Sequence, residues 1–314
     1  MIQIDFDAVH RLATVGSLVE SMRRAFSSNA ISPERAHYDL EGPNHSRTLL
    51  LMPSWRPQGA LGVKITTVFP ENAERNIPTV NAAYLLLSWE TGQPLAMIDG
   101  RALTLLRTAA VSALAADLLA PSDPEVLLMV GTGALSRYLI EGHLAVRKYK
   151  SALVWGRNPK KAAAVAQDLN RRGWPVSVAA DLEAAASSAD VISCATLAEQ
   201  PLIKGAWLKP QVHVDLVGSY TPAMREADDE CMRGAFIVVD TLGGLEKSGD
   251  LIQPLARGVI GSERITLLND LIMQWPKIPR APTTVFKSVG VAHADLAAAE
   301  ELLGRTESAI RLGT

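Results

Sequence analysis

Residues 125–158 open with Glu125-Val-Leu-Leu-Met-Val130-Gly131-Thr-Gly133-Ala-Leu-Ser136, continue through a helical segment, and close on Ser151-Ala-Leu-Val-Trp155-Gly156-Arg157-Asn158. The order reads strand, glycine turn, helix, strand. In such a unit the first glycine permits a tight turn and the second lets backbone N–H groups approach a pyrophosphate. The helix N-terminus adds partial positive charge, so the stretch outlines a dinucleotide site. Ser136 stands where that pattern often has Gly or Ala, and it is small enough for close helix packing. At the end of the second strand an NAD site places an Asp or Glu against the adenosine ribose. This chain has Gly156 and then Arg157, with Lys160 and Lys161 close behind. A carboxylate repels a 2′-phosphate and a guanidinium pairs with it, so the residues favour NADP(H) ahead of NAD(H).

Working outward, five further apolar runs follow Val126–Val130 at Ala152–Trp155, Val176–Val178, Val191–Cys194, Val212–Val217 and Phe236–Asp240, alternating with helical or turn segments. This is the pattern of an α/β doubly wound sheet. Ahead of it, Pro121-Ser-Asp-Pro124 stops a helix expected over Arg101–Leu119 and marks a domain boundary. The first part of the chain starts with apolar residues at spacings of three and four, Val9, Leu12, Val15, Leu18, Val19, Met22 and Phe26. They predict one amphipathic helix over Asp7–Ser28 behind a capping Asp. A loop region with Pro33 and Pro43 follows, then strands over Arg47–Trp55, Leu61–Phe69 and Thr79–Trp89. A hairpin turn at Glu90-Thr91-Gly92-Gln93 leads into Leu95–Ile98. The last segment, His293–Leu312, reads as a helix that returns to the first domain. The expected division is therefore 1–120 joined by 291–314, a second α+β domain, and 121–290, the nucleotide domain.

Length and composition fit that plan. With 314 residues, 48% hydrophobic and 20% charged, the chain can bury two cores. A formal net charge of −2 without blocks of like charge leaves no footprint for nucleic acid or an acidic membrane, and points to a small-molecule partner. Two cysteines, Cys194 and Cys231, and an N-terminus without basic and apolar regions suit a reducing, cytoplasmic setting. The scattered histidines offer no metal-ligand spacing, so no metal site is expected. The apolar surfaces of so small a sheet suggest a homodimer.

A substrate held beside a nicotinamide needs a grip, and for an acid the usual grip is cationic. Arg35, Arg47, Lys64 and Arg107 are the candidates. Lys64 interrupts an apolar strand, where an unpaired ammonium is costly; the alternative is an edge-strand lysine reaching water. Arg107 sits among small and apolar neighbours on a helix, where a structural salt bridge and a substrate carboxylate explain it equally well. On Val212–Val217, His213 and Asp215 share a strand face. The favoured reading gives His213 a buried hydrogen bond and turns Asp215 to the cofactor cleft without chemistry. Cys194-Ala-Thr196 ends a strand and lines the cofactor by position, with Cys194 a small buried residue.

Several of these segments together resemble the ornithine cyclodeaminase/mu-crystallin family. They are Leu51-Met-Pro-Ser-Trp55, Gly62-Val-Lys-Ile65, Met97-Ile-Asp-Gly100, Leu106-Arg-Thr-Ala-Ala-Val-Ser-Ala113, Val130-Gly-Thr-Gly133, Ala189-Asp-Val-Ile192, Val217-Gly218 with Pro222 and Arg225-Glu226, and Thr284-Val-Phe-Lys-Ser288. The resemblance implies a Rossmann module beside a domain that forms the substrate pocket and dimer interface. It carries the carboxylate clamp to Lys64 and Arg107, and a third arginine to Arg35, with Arg47 the alternative. Together with the glycine turn and the strand ends read above, it gives a cofactor set of Thr108, Gly131, Thr132, Gly133, Ala134, Leu135, Arg157, Asn158, Lys161, Ala195, Thr196, Val217 and Ser288.

One departure from the family matters. Cyclodeaminases place an acid/base aspartate after Val-Gly-Gly, and this chain has Val217-Gly-Ser-Tyr220 instead. A phenol, with an ordinary pKa of about 10, is a poor base at neutral pH. Tyr220 then either donates a hydrogen bond or walls the pocket, and the wall is favoured. Family reductases of cyclic imino acids carry similar sequences there. The resemblance thus implies NADPH-dependent reduction of a cyclic ketimine carboxylate, Δ1-pyrroline-2-carboxylate or Δ1-piperideine-2-carboxylate, in proline metabolism. The alternatives are an amino-acid dehydrogenase of the alanine type, an ornithine cyclodeaminase, and a non-catalytic NADPH and small-ligand binding protein.

Overall fold

The computed structural model describes residues 1–40, 47–75, 77–275 and 283–312. The chain begins with β1 (Ile2–Ile4), α1 (Phe6–Leu12), α2 (Val15–Phe26) and β2 (Ala36–Leu40). It continues through β3 (Arg47–Trp55), β4 (Ala60–Val68), β5 (Val80–Ser88), β6 (Pro94–Asp99) and α3 (Gly100–Leu119). Then β7 (Val126–Val130), α4 (Ser136–Val146), β8 (Ser151–Trp155), α5 (Pro159–Arg171), β9 (Val176–Val178), α6 (Leu182–Ser188), β10 (Val191–Cys194) and β11 (Val212–Leu216) alternate. The rest is α7 (Asp229–Met232), β12 (Phe236–Val239), α8 (Gly244–Lys247), α9 (Gly249–Ala256), β13 (Ile265–Leu267), α10 (Leu268–Gln274), β14 (Thr283–Lys287) and α11 (Ala292–Leu312).

Two compact units result: Met1–Thr108 with Val291–Thr314, and Ala109–Gly290. The division falls inside α3, ahead of the Pro121–Pro124 stretch where the sequence places it. Helix propagation carries the chain through the division, because residues 109–119, Asp117 apart, are apolar or small and almost all buried. By length and composition α3 could cross a membrane, yet 89% of that window is buried inside the protein, as befits a core helix.

The first unit is a six-stranded sheet in the order β1-β6-β5-β4-β3-β2, antiparallel except for the β1/β6 pair. Side chains alternate between its faces, so directly opposed residues form rows. One face carries Met52–Lys64–Tyr84 and Ser54–Gly62–Leu86, and α11 packs on these central strands. The expected single helix over Asp7–Ser28 is two helices. Asp5 caps the first through Ala8 N, Ala13 is extended, and a reciprocal Thr14–Ser17 capping box starts the second. The region expected as loop contains the edge strand β2, while Pro43 lies outside the described residues. The hairpin turn forms as expected, Gly92 N donating to Ser88 O at 2.9 Å.

The second unit is an eight-stranded, wholly parallel sheet in the order β13-β12-β14-β11-β10-β7-β8-β9. Leu128, Val130, Ile192, Val214, Leu216, Val239 and Val285 lie in one buried cluster along its middle. Central parallel strands are covered on both faces and read as continuous apolar runs, which is why the sequence reveals them. From β7 the chain builds outward to β8 and β9, then crosses back to add β10 on the other flank of β7. That reversal puts a crevice at the carboxyl ends of β7 and β10.

Candidate active site

The crevice collects most of the expected nucleotide residues, because a parallel sheet brings all its carboxyl ends to one edge. Gly131–Leu135 follow β7, Arg157–Lys161 follow β8, Ala195 and Thr196 follow β10, Val217 follows β11 and Ser288 follows β14. Gly131 has φ +123°, and a Cβ there would lie 2.5 Å from the Ala195 carbonyl oxygen. Only glycine fits that turn. Beyond it Gly133 and Ala134 are exposed, and α4, with Leu135 at its N-cap, has no side-chain cap; Ser136 N donates to Gly133 O at 3.2 Å, and the uncapped helix end suits an anion. Arg157 and Lys161 are exposed, and no carboxylate pairs with Arg157 among the described residues. These features fit a dinucleotide. Asn158 has a structural task as well: its side chain caps α5 by accepting from Lys160 N at 3.0 Å and Lys161 N at 3.4 Å. The Ser288 hydroxyl donates to Asp240 at 2.8 Å, so toward a ligand it can act only as an acceptor.

In the first unit, Lys64 and Arg107 meet on one carboxylate that sequence reasoning missed. Lys64 is 3% exposed, Arg107 5% and Asp295 0%. Asp295 accepts from Lys64 Nζ through Oδ2 and from Arg107 Nε through Oδ1, each at 2.8 Å. Lys64 is no edge lysine: β4 lies between β3 and β5, and the side chain points to the face that α11 covers. Both explanations of Arg107 meet here, because its salt bridge engages Nε alone among the described residues and leaves the terminal NH₂ fork for a second carboxylate.

Burial lowers the Lys64 ammonium from 10.5 to about 8; Asp295 opposes the shift, and Arg107 and Arg35 reinforce it. Burial pushes Asp295 up, but the charges of Arg107 and Lys64 prevail and hold it below the usual carboxylate range. Two cations against one carboxylate leave a surplus positive charge in a dry place, which favours an anionic ligand. Between the alternatives for the third arginine, Arg35 is half-buried and its charge reaches Lys64. Arg47 is paired with Glu71 and lies 5.0 Å over the Phe69 ring. Thr108, next to Arg107, is also buried.

One other expectation needs correcting. Asp215 does not face the cleft: it is fully buried and accepts from Ser193 Oγ at 2.7 Å and Ser112 Oγ at 3.0 Å, with His143 Nε2 at 3.1 Å. His213 meets Thr284 Oγ1 at 2.9 Å, and burial lowers its pKa to about 3, so it is neutral. The two belong to separate structural contacts. Tyr220 is 57% exposed on the loop after β11. Cys194 is buried, and burial raises its thiol pKa well above the ordinary value, which removes it as a nucleophile.

The sequence profile of the ornithine cyclodeaminase/mu-crystallin family matches residues 4–309. Among relatives of stated activity, a Δ1-pyrroline-2-carboxylate reductase of Colwellia psychrerythraea is 34% identical over 310 residues, which cover 96% of this chain and 98% of that protein. The structure of Thermococcus litoralis Δ1-pyrroline-2-carboxylate reductase in complex with NADH and L-proline matches with a TM-score of 0.91 at 31% identity, over 100% of this chain and 99% of that one. An archaeal alanine dehydrogenase dimer with bound NAD matches with a TM-score of 0.89 at 27% identity, over 98% and 96% of the two chains.

Proposed function

Since this chain belongs to the ornithine cyclodeaminase/mu-crystallin family, we propose that it reduces a cyclic ketimine carboxylate, Δ1-pyrroline-2-carboxylate or Δ1-piperideine-2-carboxylate, to the cyclic L-amino acid with NADPH. It is an oxidoreductase acting on carbon–nitrogen bonds. One observation carries the substrate class: Asp295 holds Lys64 and Arg107 side by side in a buried site with positive charge to spare. The Arg107 fork and the Lys64 ammonium grip the carboxylate and so fix the adjacent C=N carbon. The cofactor bound at the glycine turn supplies the hydride. A protonated imine is already electrophilic, so orientation is the main task left to the chain.

NADPH is preferred over NADH on the strength of Gly156 and the exposed Arg157, which pairs with no carboxylate among the described residues, although the Thermococcus litoralis enzyme was solved with NADH. The reductase reading is favoured over cyclodeamination by Tyr220, which stands on an exposed loop where that reaction needs a carboxylate base. A second reading, reductive amination of pyruvate with ammonia or methylamine, draws on the likeness to alanine dehydrogenase and uses the same clamp.

The test is oxidation of NADPH and of NADH with each cyclic ketimine and with pyruvate plus amine, for the wild type and Arg107→Ala. Turnover of a ketimine is expected with NADPH ahead of NADH, falling about 100-fold in kcat/KM in the variant, since a charged hydrogen-bonded pair contributes about 1.5–3 kcal/mol. An unchanged variant contradicts the clamp, and cofactor binding without turnover of any imine supports a binding protein.

We further assign a homodimer in the cytoplasm. The sheet face opposite Lys64 carries the rows Pro53–Val63–Leu85–Met97 and Trp55–Leu61–Leu87. None of these residues is fully buried, and such an apolar face suits a second copy.

A further inference from the structure

The segment Arg225-Glu226 belongs to no part of the chemistry above, yet Glu226 is fully buried and takes four hydrogen bonds. Its Oε1 accepts from Thr196 N at 2.7 Å and Thr196 Oγ1 at 2.9 Å. Its Oε2 accepts from Gly218 N at 2.7 Å and Ser219 N at 3.3 Å. Thr196 and Gly218 lie just past the carboxyl ends of neighbouring strands β10 and β11, beside the Gly131 turn. One carboxylate therefore joins the two loops that border the crevice.

The fit between these loops is tight. A Cβ on Gly218 would lie 2.1 Å from the Thr196 carbonyl oxygen and 2.5 Å from Glu226 Oε1, so any side chain at 218 would part them. Glu226 is itself held in place: Asp250 Oδ1 accepts from Glu226 N at 2.8 Å and Ala227 N at 3.3 Å. Lys287 Nζ, donating to Leu216 O at 3.0 Å and 3.7 Å from Asp250 Oδ2, supplies one positive charge beside the two carboxylates. Three backbone N–H groups and a hydroxyl converging on two oxygens favour the acceptor-only carboxylate, although burial raises the Glu226 pKa to about 7. An amide turns an NH₂ toward one pair of donors and must release one loop.

We infer that Glu226 is a positioning residue, one that sets the separation of the Thr196 and Val217–Ser219 loops and thereby the seat of the nicotinamide nucleotide. This inference rests on the cofactor reading above. A carboxylate serving stability alone would leave cofactor affinity unchanged, so the two roles part company there. The NADPH and imine constants of Glu226→Gln, Glu226→Asp and Gly218→Ala should be compared with those of Met232→Ala, a core truncation in the same unit.

Glu226→Gln and Gly218→Ala are expected to raise the Kd of NADPH at least about tenfold, the loss of one charged hydrogen-bonding pair. The KM for the imine should stay within about twofold, because its carboxylate is gripped in the other unit. Glu226→Asp keeps the charge but reaches less far, so it folds even if the amide does not and should fall between. Met232→Ala should lower Tm and leave the Kd unchanged. Equal NADPH affinity in wild type and the Glu226 variants, or losses matched by Met232→Ala at equal Tm loss, overturns the inference while leaving the proposed function standing. A wild type that binds neither NADPH nor NADH overturns both.

Discussion

Lys64 shows how a residue's meaning depends on what covers it. Its alternation within β4 announces a side chain on the same face as Gly62 and Thr66, but only the arrival of α11 makes that face dry. Arg107 and Lys64 were legible because charge inside an apolar run demands a partner. Asp295 was not, because an acidic residue in the first turn of an alanine-rich helix reads as a favourable neighbour of the helix dipole. Nothing in its flanking residues distinguishes that use from a counter-ion to groups hundreds of residues earlier. The arrangement has a consequence in pH. A carboxylate ligand favours charged Lys64, whose free pKa is about 8, so affinity is full below that value and falls as pH rises through it. The Kd of L-proline measured from pH 6 to 10 should rise above about pH 8, with the midpoint lower in Asp295→Asn because the anion that raises the Lys64 pKa is gone. A Kd flat across this range in both proteins contradicts the assignment of Lys64.

At the scale of elements, the break between α1 and α2 was hidden by a regular apolar spacing that continues across Ala13. The capping signals were there to read, Asp5 before the first helix and Thr14 with Ser17 before the second. Thr14→Ala removes one side of the second cap and is expected to lower stability by about 1 kcal/mol, seen as a shifted urea midpoint with the m-value and the kcat unchanged; no shift means the cap is idle. The strands β7, β8, β10, β11 and β12 were legible because both their faces are covered. Others were not. β2 is a polar edge strand, β13 has three residues, and β14, though part of a quoted motif, sits between β11 and β12 only through pairing with distant sequence. Local pattern carries no information about such partners.

For the whole molecule, the family and the α/β architecture were readable from motifs spread along nearly the full chain, whereas the boundary after Thr108 was not, since α3 runs through it without a break in pattern. The six-stranded sheet leaves a further expectation. Its rows around Val63 and Leu85 need cover that the first unit's helices do not supply on that side, so sedimentation should give twice the 33.7 kDa chain mass. Val63→Asp should shift it toward the monomer, and a monomeric wild type contradicts the dimer.

The claim on which the rest turns is that the clamp reads a carboxylate, and one comparison addresses it most directly: kcat/KM with NADPH for Δ1-pyrroline-2-carboxylate and for Δ1-pyrroline, the same ring without the acid. A site built to pair a substrate's polar group rejects the analogue that lacks it. The wild type should favour the acid at least about 100-fold, from the loss of about 3 kcal/mol of charged hydrogen bonding, and Arg107→Met should lose most of that preference. Equal rates for the two rings in the wild type would contradict the account.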